Sequence, residues 1–255
     1  MSAPVFLAEA STAHPLSQYA PGTVYVLDGA EGRHAGVVQR RGPGERIDVV
    51  DGAGVRLRTV VESVNGAEVH LRVEERDVEP PPAVVVTLVQ ALAKGDRDEM
   101  AIEAATETGV DVIIPWQAER SVVVWRGDRA AKSRARWVST VRAATKQARR
   151  SRIPEVEVPL STKQLAARTR EVVAAGGAVA VLHEEAKAGL SAVRLPEAGE
   201  VLLVVGPEGG ISESEVALLT EAGAVTARLG PHVLRTSTAG PVAIAMLSER
   251  LNRWS

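Results

Sequence analysis

The residues with chemical potential in this chain gather where apolar runs end, in its last third. "VLLVVGPEGGISESE", Val201 to Glu215, is the sharpest case: five apolar residues stop at Gly206-Pro207-Glu208-Gly209-Gly210 and a helix start follows directly. An all-apolar run suits a central parallel strand covered on both faces. Glycine at 206, 209 and 210 admits backbone angles or close approaches that a β-carbon would block. Ser212 and Glu215 have capping-box spacing, which predicts a helix beginning there. Ligands of open α/β sheets sit beyond the carboxyl ends of the strands, so this turn either lines a pocket or only joins strand to helix. It has no GK[ST] and is not GxGxxG, and Glu208 would repel a phosphate set against it. A ligand with hydroxyls, amide-type donors or positive charge suits it better.

A second turn, "ARLGPHVLRTSTAGPVAIAML" (Ala227 to Leu247), again leads from a strand through Gly-Pro and a polar cluster to an apolar helix. Thr236, Ser237 and Thr238 have the chemistry of helix N-caps or of ligand contacts, and Arg235 lies just ahead of them. A third strand end, "VLHEE" (Val181 to Glu185), could flank the same pocket. Three such ends suggest one ligand held by backbone groups from several loops.

The other chemical signal is charge. Between Arg126 and Arg152 the cations are Arg126, Arg129, Lys132, Arg134, Arg136, Arg142, Lys146, Arg149, Arg150 and Arg152, against the single acid Asp128. Trp137, Val141, Ala144 and Ala148 fall on one helical face, with Arg142, Lys146 and Arg149 opposite. A face of one sign on a chain of net charge −2 points to a polyanion, and RNA ahead of duplex DNA because no DNA-reading motif is present. The five histidines, His14, His34, His70, His183 and His232, are scattered, so no zinc site is expected. Glu99, Glu103 and Glu107 recur every four residues and read as a solvated acidic ridge, with Met100, Ala101 and Ala105 as core.

The elements that must position these groups fall into two parts. "DVEPPPAVVV" carries three consecutive prolines, a stiff spacer that fits neither helix nor central strand. Ahead of it "TVYVLDG", "ERIDVVDG", "VRLRTVVESV" and "AEVHLRVEE" read as strands of a small barrel or strongly bent sheet, with a short helix over Arg33 to Arg40. Behind it strands alternate with helices. Gly109 is placed to end the first helix, a long helix is expected over Arg129 to Arg150, and the last spans "STAGPVAIAMLSERLNRW". The rhythm is that of an α/β domain with a mostly parallel sheet. The division is 1–78, a linker at 79–83, and 84–255.

At 255 residues, 45% hydrophobic and 24% charged, the chain can bury one or two full cores and has a globular composition. The absence of cysteine excludes disulfides, thiolate nucleophiles and Cys-ligated zinc. No apolar run reaches the ~18 residues of a membrane span. "MSAPVFLAEASTAHP" has no basic segment ahead of a long apolar one, so no secretory signal is expected and the chain reads as cytoplasmic.

Together these motifs resemble the SPOUT superfamily and, within it, the RsmE-type bacterial family that methylates N3 of a uridine in small-subunit ribosomal RNA. "HAGVVQRRGPGERIDVVDG", "AKGDRDEMAIEAATETGVDVIIPWQAERSVV" and "ARWVSTVRAATKQARRSRIPEV" are similar to that family's N-terminal domain, lysine-to-arginine block and basic helix; "VVGPEGGISESE" and "LGPHVLRTSTA" are the sharpest matches. The resemblance implies a PUA-like RNA-binding β-barrel followed by an α/β domain with a trefoil knot. It also implies a homodimer, S-adenosylmethionine as donor, 16S ribosomal RNA of the small subunit as partner, and no metal or membrane.

On that resemblance the donor is expected against Leu182, His183, Gly206, Pro207, Glu208, Gly209, Gly210, Leu229, Gly230, Leu234, Thr236, Ser237, Thr238 and Ala239. Lys94, Arg120, Arg142, Lys146, Arg149 and Arg150 are expected on RNA. Arg235 and Glu208 are the candidate catalytic groups. A donor with a cationic sulfonium needs no phosphate-binding lysine. Relatives often carry Glu where this chain has Ser237, which offers no carboxylate base. Two alternatives stay open: a related enzyme acting on a ribose 2′-hydroxyl, and a non-catalytic RNA-binding assembly factor.

Overall fold

The computed structural model describes residues 3–8 and 15–254, so His14 lies outside the described residues. Contacts divide the chain into two units. One is Met1–Pro81 together with Thr145–Ile153; the other is Pro82–Ala144 together with Pro154–Ser255.

The first unit holds β1 (Val5–Leu7), β2 (Val24–Leu27), β3 (Arg46–Val50), β4 (Val55–Asn65) and β5 (Glu68–Val78) in the order β1-β3-β4-β5-β2. The edge strands β1 and β2 do not pair with each other, which leaves an open half-barrel. Alternation drives it: Leu57, Val61, Val69, Leu71 and Val73 point inward and are fully or almost fully buried with Phe6, Tyr25 and Leu27. β1 is a strand absent from the sequence reading, because three residues are too few to show a period. The short helix starts earlier than expected, as α1 (Gly29–Arg33), and continues as a π-helical turn over His34–Val38. Gly32 permits this, since a β-carbon there would overlap the Ala67 and Leu27 carbonyls.

Residues 145–153 pack on that sheet although they lie far along the chain. The Ile153 amide donates to the Gly52 carbonyl at 2.9 Å, and Arg56 donates to Ser151 Oγ and, at 2.6 Å, to the Arg149 carbonyl. Lys146 Nζ lies 2.7 and 2.8 Å from the two oxygens of Glu31 and 5.6 Å from the Phe6 ring centre.

The second unit runs β6 (Val84–Ala91), α2 (Arg97–Thr108), β7 (Val112–Gln117), α3 (Asp128–Gln147), β8 (Glu155–Val156), β9 (Leu160–Ser161), α4 (Thr162–Ala174), β10 (Ala178–Leu182), β11 (Gly199–Val205), α5 (Glu213–Glu221), β12 (Val225–Ala227) and α6 (Thr236–Arg250). Its sheet has the order β12-β10-β11-β6-β7-β8, with β9 also on β7, and every pairing is parallel. β11 lies between β10 and β6, so Val201 to Val204 are buried from both sides. Gly109 ends α2 with φ 107°.

Helices α2 and α6 pack together on one face of the sheet. Gly240 brings α6 against β6, since a β-carbon there would sit 2.9 Å from Leu88 Cδ1. Ala101 and Ala105 are buried as expected, but Met100 is 58% exposed. One residue along a helix turns about 100°, which carries Met100 off the stripe formed by Ala101, Ile102 and Ala105. Trp137, Val141 and Ala144 of α3 are buried, while Ala148 lies beyond the helix end and is half-buried. No helix is long and apolar enough to cross a membrane among the described residues.

Candidate active site

Because β12, β10 and β11 are parallel neighbours, the segments that leave their carboxyl ends emerge side by side. Val181 stands opposite Val204, and Leu182 opposite Ala227. The segments leaving Leu182, Val205 and Ala227 enclose a cavity of about 820 Å³, within the size of small-molecule sites. Leu182, His183, Gly206, Pro207, Glu208, Gly209, Gly210, Leu229, Gly230, Leu234, Thr236 and Ala239 line it, as do Arg97, Arg120 and Arg235. Ser237 and Thr238 do not: Ser237 is buried, and Thr238 Oγ1 turns back to the Arg235 carbonyl.

The glycine loop is a tight turn, with the Gly210 amide donating to the Pro207 carbonyl at 2.9 Å and Gly210 at φ 73°. Gly206 is required by contact, since a β-carbon would fall 2.6 Å from Ile211 Cγ1. Past the turn, Ser212 and Glu215 form the expected capping box and start α5. Glu215 does more than cap. It is buried, and its Oε1 accepts from the Glu119 amide at 2.8 Å and from Thr162 Oγ1 at 2.8 Å. Ser212 Oγ in turn donates to Glu119 Oε2 at 2.7 Å. The far end of the loop is thereby fixed to the segment following β7.

Thr236 is not the N-cap that the polar cluster suggests. Arg235 occupies that position with extended backbone angles and no side-chain cap. Thr236 Oγ1 instead donates to the Gly206 carbonyl at 2.7 Å and accepts from Gln90 Nε2 at 2.9 Å. The α6 start is tied both to the glycine loop and to β6. The Arg235 side chain is exposed at the cavity and makes no hydrogen bond or ion pair among the described residues.

Glu208 Oε1 accepts from Arg97 Nη1 at 3.1 Å and from the Lys94 amide at 3.2 Å. Arg120 Nη1 donates to the Gly209 carbonyl at 3.0 Å. Next to Arg97, burial pushes the Asp98 carboxyl above the ordinary aspartate range, although it accepts from the Glu99 and Ala93 amides. His183 lies in the wall, its Nδ1 accepting from the Glu185 amide. Among the described residues no group of three or more His, Asp or Glu is placed to hold a metal.

The basic segment is less uniform than its sequence. Arg134 donates to the Val156 and Glu157 carbonyls, and Arg136 grips Asp96 and Glu99. Glu99 thus leaves the acidic ridge, where Glu103 and Glu107 stay exposed. Lys146 is engaged by Glu31, Arg149 lies past the end of α3 with φ 55°, and Arg150 is half-buried. The side chains of Arg126, Arg129, Lys132 and Arg142 are exposed and make no hydrogen bond or ion pair among the described residues.

Sequence reasoning missed Arg97, Glu119 and Gln90. Arg97 stands inside "GDRDEM" and Glu119 directly before Arg120, but nothing local to either marks a partner more than ninety residues away.

Comparison with known proteins gives these features a context. Residues 79–248 match the family model described as RNA methyltransferase domain. The chain is 50% identical over 233 residues to ribosomal RNA small subunit methyltransferase E of Mycobacterium bovis, covering 91% of this chain and 89% of the relative. It is 34% identical to the protein of that name from Bacillus subtilis, covering 88% and 89%. The crystal structure of ribosomal RNA small subunit methyltransferase E from Neisseria gonorrhoeae bound to S-adenosyl methionine matches with a TM-score of 0.82 and 26% identity over 98% of both chains.

Proposed function

The chain belongs to the RNA methyltransferase family, and from that premise we propose that it methylates N3 of a uridine in 16S ribosomal RNA, with S-adenosylmethionine as donor. The observation that carries this reading is the convergence of three strand-end segments on one cavity lined by Gly206, Gly209 and Gly210. The cavity fits the donor chemically. Leu182, Val205, Leu229 and Leu234 give it apolar walls, and its rim carries both signs of charge, with Glu184 and Glu185 beside Leu182 and Arg235 ahead of α6, which suits a donor that joins a cation to a carboxylate.

When bound, the donor supplies an electrophilic methyl group on a positively charged sulfur. The protein's own part is positioning, and a fixed in-line geometry accounts for much of the rate in such transfers. Thr236 and Gly206 keep two of the loops in register, so backbone groups of both stay aimed at the cavity. Arg235 stands at the cavity as an unengaged cation, suited to stabilise negative charge developing on the uracil oxygens as N3 loses its proton to solvent water. Glu208, with Oε1 taken by Arg97 and Lys94, serves as a brace for its loop rather than as the base.

RNA is held by the exposed cations Arg126, Arg129, Lys132 and Arg142, with Lys94 and Arg149 as further contacts. Such phosphate contacts position the strand without selecting a base. Of the other residues expected on RNA, Lys146 is occupied by Glu31, Arg120 by the Gly209 carbonyl, and Arg150 is half-buried, so this reading leaves the three out. The half-barrel is the PUA-like RNA-binding module of this reading. In this reading the second unit carries the trefoil knot that the resemblance implies. A second copy of the chain covers Met100, Val242 and Met246, exposed on α2 and α6. The place of action is the cytoplasm, where ribosomal RNA is assembled.

The test is methyl transfer from tritiated S-adenosylmethionine to small ribosomal subunits that lack the modification, with nucleoside mass spectrometry of the product. Label in N3-methyluridine is expected. Label on a ribose 2′-oxygen, or none, would reject the assignment.

A further inference from the structure

We propose that Arg97 and Arg120 are positioning residues, a two-sided clamp that holds the glycine loop in its binding shape and so sets the affinity for the donor. This inference rests on the donor reading above.

The turn Pro207–Gly210 has two glycines among its four residues, and glycine loses more backbone freedom on ordering than any other residue. Its internal hydrogen bond, from Gly210 to Pro207, fixes its ends but leaves Glu208 and Gly209 to be held from outside. Two arginines do this from separate segments. Arg97, in the first turn of α2, reaches Glu208 Oε1, which the Lys94 amide also approaches. Arg120, in the segment after β7, donates to the Gly209 carbonyl. Arg120 also packs over that glycine, where a β-carbon would lie 3.2 Å from Arg120 Cβ.

Arg97 is itself presented by anchored neighbours. Asp96 holds a left-handed φ of 59°, uncommon outside glycine, and its Oδ1 accepts from Arg136 Nη2 at 2.9 Å. Asp98 on the other side is buried. The grip on Glu208 therefore extends from α3 through Asp96 and Arg97 to the loop. It also gives the loop's carboxylate a purpose, since a lysine at 208 would face two donors and repel one of them. Both arginines line the cavity, so a displaced side chain would reach the donor's own space.

Calorimetric titration of the full chain with S-adenosylmethionine tests the clamp, using Arg97→Gln, Arg97→Lys, Glu208→Gln, Arg97→Gln/Glu208→Gln and Arg120→Gln, each checked for folding by thermal melting. Arg97→Gln is expected to weaken binding about fivefold, the upper range for a partly exposed charge pair. Arg97→Lys should recover most of it, Arg120→Gln should lose a comparable amount, and the double variant should be no worse than Glu208→Gln alone. In the transfer assay Arg97→Gln should raise the donor KM and leave kcat near wild type. Wild-type binding that Arg97→Gln and Arg120→Gln leave unchanged, or additive losses in the double variant, would remove the clamp alone. A wild-type chain that binds no donor would take the donor reading down with it.

Discussion

Thr236 Oγ1 donates to the Gly206 carbonyl at 2.7 Å while accepting from Gln90 Nε2 at 2.9 Å. One hydroxyl thereby joins β6, the end of β11 and the start of α6. Thr236→Val keeps the shape and removes both bonds, leaving the buried Gln90 amide and the Gly206 carbonyl short of partners. A loss of about 2 kcal/mol in urea unfolding is expected, together with weaker donor binding. Thr236→Ser should stay near wild type on both counts.

Gly206 and Gly209 separate two effects of bulk. A β-carbon at Gly206 would stand 2.6 Å from Ile211 Cγ1, and one at Gly209 would stand 3.2 Å from Arg120 Cβ. Gly206→Ala must displace Ile211 and is expected to lower both stability and donor affinity. Gly209→Val, in an exposed turn, should abolish donor binding while the melting temperature changes little. Calorimetry and thermal melting together check the pair.

Asp98 gives a pH signature. Burial raises its folded-state pKa above the ordinary 3.8, so the folded chain favours the protonated carboxyl. Its contribution to stability is present below that ordinary value and is lost as pH rises through the raised one. Asp98→Asn cannot ionise, so its stability relative to wild type should increase from about pH 3 to about pH 7. Denaturant unfolding across that range checks the direction.

Two cations of one helix are expected to behave differently. Arg142 is exposed, and Arg142→Gln should weaken RNA binding and lower the slope of log K against log salt by about 1. Lys146 is held by Glu31, so Lys146→Met should destabilise the chain by about 1–2 kcal/mol and leave that slope unchanged. Filter binding over a salt series distinguishes them.

The contrast between Arg142 and Lys146 also marks what the sequence could reveal. Helical spacing placed both on one face correctly in angle, but it could not show that Glu31 waits for Lys146 from 115 residues away. The same holds at the site. The run Val201 to Val205, the stop at Gly206 and the Ser212–Glu215 box are local patterns, and the structure has the strand, turn and helix they imply. Thr236 looked like a cap because its neighbours do; its bonds to Gln90 and Gly206 are set by strand order, which no local pattern encodes. β1 escaped for the opposite reason, three residues being too short for any period to appear.

Amide hydrogen exchange of the whole chain, with and without S-adenosylmethionine, tests the central claim most directly. The three strand-end segments at 182–184, 206–211 and 229–236 are predicted to gain protection together, at one donor concentration. Protection of a single segment, protection elsewhere, or none at saturating donor would contradict the convergent site.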